Sequence, residues 1–129
     1  MPKLLASRIW YWKVCIKLDT TELVPPPGHA VIALQYRKFD SDTEVVLQQI
    51  HHKNTLRCCN IERETQREIS DETAKNRLGV YCAEDENGNY HAAIAWINAL
   101  EKQLNFAKIS QNTRHSLAQN IVKKINSFT

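Results

Sequence analysis

Residues 9–18, Ile-Trp-Tyr-Trp-Lys-Val-Cys-Ile-Lys-Leu, put an apolar side chain at every even position: Trp10, Trp12, Val14, Ile16 and Leu18. Lys13 and Lys17 fall on the other parity. Side chains on a strand point alternately to opposite faces, so the pattern predicts one strand with a dry face and a wet face. Two tryptophans on one strand face supply much of a small core. The feature constrains architecture and carries no chemistry of its own.

A second alternation follows at residues 29–39, with Ala30, Ile32, Leu34 and Tyr36 apolar and Gln35 and Arg37 on the mixed side. The connection between the two predicted strands holds Pro25-Pro26-Pro27-Gly28. Three prolines fix an extended stretch that lacks backbone donors, so they predict a rigid loop in preference to a tight hairpin or an SH3-type ligand. The two strands are still expected as antiparallel neighbours, since sequential strands usually pair.

Residues 40–53 read as a helix: Ser41 and Glu44 have capping-box spacing, and Val46, Leu47 and Ile50 are expected to be buried. The rival reading is a strand over residues 44–50, since Val45-Val46-Leu47 is β-prone. Residues 56–61 are expected as a short strand. Residues 62–77 are strongly charged and read as an exposed helix or a connection, with a short helix opening at Ser70 and ended by Gly79. Residues 78–83 read as a strand.

Asn87-Gly88 is a strong turn signal. After it the sequence supports either a hairpin through Tyr90, Ala92, Ile94 and Trp96 or a helix over residues 90–108. The helix is preferred on two grounds: His91, Asn98, Glu101, Lys102 and Asn105 form a polar stripe at helical spacing, and alanine is abundant. A last helix is expected over residues 112–127, where Leu117, Ile121, Ile125 and Phe128 recur at helical spacing. Lys123 and Lys124 fall in its final turns, where cations suit the helix dipole.

Together these elements predict one α+β domain spanning residues 1–129: a mainly antiparallel sheet of three to four strands, packed on one face by two C-terminal helices. Its expected core sets Trp10, Trp12, Ile16, Ile32 and Leu34 against Ile94, Ile97, Leu100, Leu117, Ile121 and Ile125. At 129 residues such a chain buries roughly two thirds of its unfolded surface, enough to fold without staples.

Function is read mostly by elimination. The longest apolar run, residues 92–97, is far short of the ~20 residues a membrane helix needs. No secretory h-region precedes Ser7 and Arg8, so a cytoplasmic chain with reduced cysteines is expected and no membrane partner. Three glycines leave no phosphate-cradling loop. His51, His52, Cys58 and Cys59 are metal-ligand types, but adjacent residues diverge on helix or strand, so no metal is expected there. Asp85, Asn87 and Asn89 alternate as in a calcium loop, but Trp96 stands where the twelfth-position carboxylate should be, so a solvated turn is preferred. No Gly-x-Ser-x-Gly elbow supports a serine nucleophile, and no pattern pairs a cysteine with a histidine. No catalytic residue and no cofactor are assigned.

Binding is what remains. The odd face of the first two predicted strands carries Tyr11, Lys13, Lys17, Arg37 and Phe39, bases and aromatics of the kind that stack nucleic acids. The C-terminal stretch adds Arg114, Lys123 and Lys124, and residues 106–121 have loose helix-turn-helix spacing. The net charge of +3 permits a polyanion without requiring one. The sequence therefore points first to a small regulatory protein acting through protein–protein contacts. A nucleic-acid-binding module is the first alternative, and an enzyme built from scattered residues the second. Self-association as a twofold dimer is expected from the long first strand and the surplus of aromatics.

Overall fold

The computed structural model describes residues 16–20, 22–70, 75–97 and 102–127. Trp10, Tyr11, Trp12, Lys13, Val14 and Leu100 lie outside the described residues. In chain order the elements are α1 (Ser41–Ile50), α2 (Lys53–Glu68), β1 (Leu78–Glu84), β2 (Tyr90–Ile97), β3 (Leu104–Gln111) and α3 (Leu117–Asn126). The described residues are thus α+β, with three helices and an antiparallel sheet in the order β1-β2-β3.

The preferred helix over residues 90–108 does not form; its residues supply β2 and β3. The hairpin reading was the correct one. Tyr90, Ala92, Ile94 and Trp96 point inward and are buried, and Val80, Ile94 and Ala107 stand side by side across the three strands. The alanines that suggested a helix serve another purpose. Ala93 and Ala95, with Gly79, form a low spot on the outer face of the sheet, and Val24 lies against it. The preceding turn is closed by Gly88, which adopts φ 80° and donates to Asp85 O at 3.0 Å.

The strand expected over residues 56–61 is instead part of α2. Its buried stripe is Cys58, Ile61, Glu62 and Thr65, continued by Ile69 just past the helix. That spacing is helical, but half the stripe is polar, so hydrophobic periodicity hid it. Thr65 is satisfied locally, donating to Ile61 O at 2.9 Å. The N-terminus is capped by the His52 imidazole, which accepts from Thr55 N at 3.2 Å.

The inner face of the sheet carries Leu78, Val80, Cys82, Tyr90, Ala92, Ile94 and Trp96. Cys58, Ile61 and Ile69 from the α2 side, and Leu117, Ile121 and Ile125 from α3, close over it. Each fully buried aliphatic side chain here contributes about 1.5–3 kcal/mol. Among the described residues one C-terminal helix packs on the sheet where two were expected, and its neighbour on that face is α2.

The second expected strand is absent: residues 31–37 are irregular. Ile16, Ile32 and Leu34, placed in the core by their alternation, are exposed. The proline segment behaves as the rigid connection it resembles. Pro25 O accepts from Val80 N at 3.0 Å, and a Cβ on Gly79 would stand 2.6 Å from Val24 O. Val24 and Pro25 thus cross β1 at a position only glycine permits. Among the described residues, no helix is long and apolar enough to cross a membrane.

Candidate functional site

Among the described residues, Ile32, Leu34, Tyr36, Ile50 and Leu56 are exposed around one groove. The chain turns at residues 27–30, where His29 N donates to Pro26 O at 3.1 Å and Ala30 has φ 61°. It then runs from Val31 to Arg37 without a turn or bend. A second turn follows, with Asp40 N donating to Arg37 O at 3.2 Å and Phe39 at φ 69°. Asp40 caps α1 directly, accepting from Thr43 N at 3.1 Å. The straight run, α1 and the start of α2 enclose a groove of about 610 Å³. Ile32, Leu34, Tyr36, Leu47, Ile50 and Leu56 line it.

No residue of α1 is buried. Val46 and Ile50, expected inside, are 62% and 68% exposed. The β-prone valines do form a helix, since Asp40 and Thr43 fix its start, but among the described residues nothing closes over it. The sequence marked the helix and its apolar side correctly. It held no signal that the side stays open.

One buried group ties this region to the core. Glu62 on α2 accepts from Gly28 N and from Cys82 N, each at 2.8 Å. Burial pushes its carboxyl pKa up, against the two backbone donors and Arg63, which favour the charge. Beside it the Cys58 and Cys82 thiols are neighbours in the buried core. Their interaction holds Cys58 below the usual thiol range and, with burial, raises Cys82. Cys58, Cys59 and Cys82 are all free and buried.

The four ligand-type residues of residues 51–59 do not converge. His51 ends α1, His52 caps α2, Cys58 faces Cys82, and Cys59 lies near the Gly28 turn. Among the described residues no group of three His, Cys, Asp or Glu is arranged to hold a metal.

A row of serine, histidine and aspartate does occur, one that no local motif marks. Ser110 Oγ lies 2.8 Å from His91 Nδ1, and His91 Nε2 lies 3.1 Å from Asp85 Oδ2. His91 and Ser110 are directly opposed on β2 and β3. Asp85 also accepts from Asn87 N at 2.9 Å and from Asn89 N at 2.8 Å. The Asn89 side chain first, then His91 and these amides, hold its carboxyl well below the usual range. The row lies on the outer sheet face beside the turn, and none of the clefts described here includes it. A nucleophile needs a substrate pocket and oxyanion donors. This geometry instead locks a hairpin, and the Asp85 carboxylate that suggested calcium is filled by amides of its own turn.

A smaller cleft, about 320 Å³, separates α2 from the start of α3 and holds Arg57, Arg114, His115 and Glu64. Arg57 is committed to Glu84, with Nη1 2.8 Å and 3.0 Å from the two carboxylate oxygens. Gln119 donates to Glu64 at 3.3 Å. These pairings leave little net charge to attract a ligand.

The sequence-predicted binding residues are scattered. Lys17 and Arg37 lie on irregular chain, and Phe39, 90% exposed, stacks under Lys38 at 5.0 Å. Lys123 and Lys124 are exposed on the last turns of α3, and Arg114 is exposed ahead of it. The helix-turn-helix spacing of residues 106–121 is lost, because residues 106–111 belong to β3. No family model matches the chain, and no curated protein matches its sequence.

Proposed function

We propose that this chain is a binding module that acts through protein–protein contact, using the apolar groove between residues 30–36, α1 and α2. The observation that carries the reading is the exposure of α1 together with Ile32, Leu34 and Tyr36 around a single groove. Monomeric proteins rarely leave contiguous apolar patches larger than a few hundred Å² uncovered, and those that do usually use them. The core lies elsewhere, so the groove is free to be shaped by its partner.

Ile32→Asp and Ile50→Asp, both on the groove lining, test it. Both should leave the thermal midpoint close to wild type, because these side chains are exposed. Both should abolish formation of a stoichiometric complex, read by size-exclusion chromatography with light scattering. Variants that bind as well as wild type would remove the groove from the contact surface.

A second reading is favoured by one observation. Residues 102–127 carry Lys102, Lys108, Arg114, Lys123 and Lys124 and no acidic residue. A nucleic acid on this side would be released by salt in proportion to the phosphates contacted. Fluorescence anisotropy with a labelled single strand, repeated on Lys123→Glu/Lys124→Glu, separates the two. A salt-dependent signal lost in that variant and kept in Ile50→Asp favours nucleic acid.

A further inference from the structure

We propose that residues 31–37 pair antiparallel with the same residues of a second copy, around a twofold axis through Leu34. The inference rests on the apolar contact surface proposed above and names its occupant.

The run is built like a strand that lacks a neighbour. It is straight from Val31 to Arg37, and turns with left-handed residues, Ala30 and Phe39, set it off at both ends. Among the described residues, no backbone hydrogen bond engages residues 31–36. Unpaired amides and carbonyls on a straight run are a template for another strand.

The pattern of side chains fits its own copy. Antiparallel partners that face each other lie on the same side of the ribbon. An axis through Leu34 sets Leu34 against itself and Ile32 against Tyr36 twice. Pairs of β-branched and aromatic side chains are among the better cross-strand contacts. Moving the axis to Ala33 would set Ile32 against Leu34 but leave Tyr36 opposite Ala30, covering less apolar surface. In the first register each copy's Arg37 comes opposite the other's Val31, so like charges do not meet.

The sheet edges are poorer candidates. Among the described residues β1 and β3 are the two edges: β1 is crossed by Val24 and Pro25, with Val80 N donating to Pro25 O, and exposed Lys108 stands in the middle of β3. A lysine in that place discourages edge pairing. Residues 31–36, Val-Ile-Ala-Leu-Gln-Tyr, contain no charge.

Light scattering over a hundredfold dilution, coupled to hydrogen exchange, tests the proposal on the full chain. The wild type should approach dimer mass at the highest concentration, and the amides of residues 31–37 should gain protection with concentration. Leu34→Asp places two carboxylates on the axis and should weaken the dimer on the order of a hundredfold, as loss of a central contact does. In dilute protein, where wild type is monomeric too, its thermal midpoint should match wild type. A monomer at every concentration overturns the proposal, as does a dimer that Leu34→Asp leaves intact. In a monomer, free exchange at residues 31–37 rejects only the second copy and leaves the surface open to a different partner. Protection of those amides in a monomer means the chain covers its own groove, and both readings fall.

Discussion

From Lys53 to Asn126 the large apolar side chains are mostly inside the fold, whereas from Ile16 to Ile50 they are mostly outside it. Val80, Ile94, Leu117 and Ile121 have no exposed surface. Ile16, Leu18, Leu23, Ile32, Leu34, Val45, Val46 and Ile50 are all exposed, and Val24 is the one buried residue among those described in residues 16–52. Both regions have amphipathic patterns. Only the later one brings a second apolar face to meet the first, α2 and α3 against the sheet. The earlier region is attached at a few points: Val24 and Pro25 along β1, and Gly28 on the Glu62 carboxylate. Periodicity tells which side of an element is apolar. It does not tell what covers that side.

The largest effects should follow this division. Leu117→Ala and Ile121→Ala should each lower stability by about 2–5 kcal/mol, the range for aliphatic truncation in a close-packed core. Ile32→Ala and Val46→Ala should change it by no more than about 0.5 kcal/mol in the monomer, as exposed positions do. Urea midpoints measure all four. A large loss at Ile32 or Val46 in dilute protein would erase the distinction between the two regions.

Glu62 is the main polar link between them, and its loss should come next in size. Glu62→Ala strands the Gly28 and Cys82 amides and should cost about 3 kcal/mol, since each unmet buried donor costs about 1–3 kcal/mol. Its pH dependence has a definite sign. The native pKa is raised above its ordinary 4.5, so folding favours the protonated acid. That contribution is complete below pH 4.5 and disappears as pH rises through the native value. The advantage of wild type over Glu62→Gln should therefore shrink above pH 4.5 in thermal melts. An advantage that grows with pH would show that the two amides outweigh burial.

Gly79→Ala targets the other attachment with a smaller expected cost, about 1–2 kcal/mol for overpacking that a chain segment can relieve by moving. The new methyl would meet Val24 O at 2.6 Å. The segment around Val24 should lift from β1 while the core stays folded. Limited proteolysis should then cut near Leu23 faster than in wild type, with little change in the core melt. Unchanged cleavage would mean that Val24 is not what holds the segment down.

The sequence was legible where period and local chemistry agreed. Elements of the expected type stand at residues 41–50, 78–84 and 117–126, where alternation or helical spacing is plain, but the ends differ: α1 is capped by Asp40, not Ser41, and stops at Ile50, and α3 starts at Leu117, not at residue 112. It misled at residues 90–111, where Ala93 and Ala95 are small to accommodate Val24, a contact about 70 residues away in the chain. It misled again at α2, whose buried Glu62 and Thr65 do not read as apolar. The groove was half legible: Ile32, Leu34, Leu47 and Ile50 were identified as apolar positions but expected inside, and Tyr36 as one of the surplus aromatics. The Asp85–His91–Ser110 row depends on the strand register His91↔Ser110, which a helical reading of those residues cannot contain.

The smallest expected effect lies in the region already well folded, at Asp85. Asp85→Asn keeps an acceptor for the Asn87 and Asn89 amides and removes only the charge that faces His91. Asp85 is solvent-exposed enough that the loss at neutral pH should be slight, well below that of the core truncations. Its sign is opposite to that of Glu62. The native carboxyl titrates below its ordinary 3.8, so its contribution is complete above pH 3.8 and disappears as pH falls through the native value. The melts of wild type and Asp85→Asn should be separated at pH 7 and converge in acid, and added salt should narrow the gap at pH 7. A gap that is the same at pH 7 and pH 2 would assign the hairpin's stability to its backbone turn alone and leave the charge on Asp85 without a role.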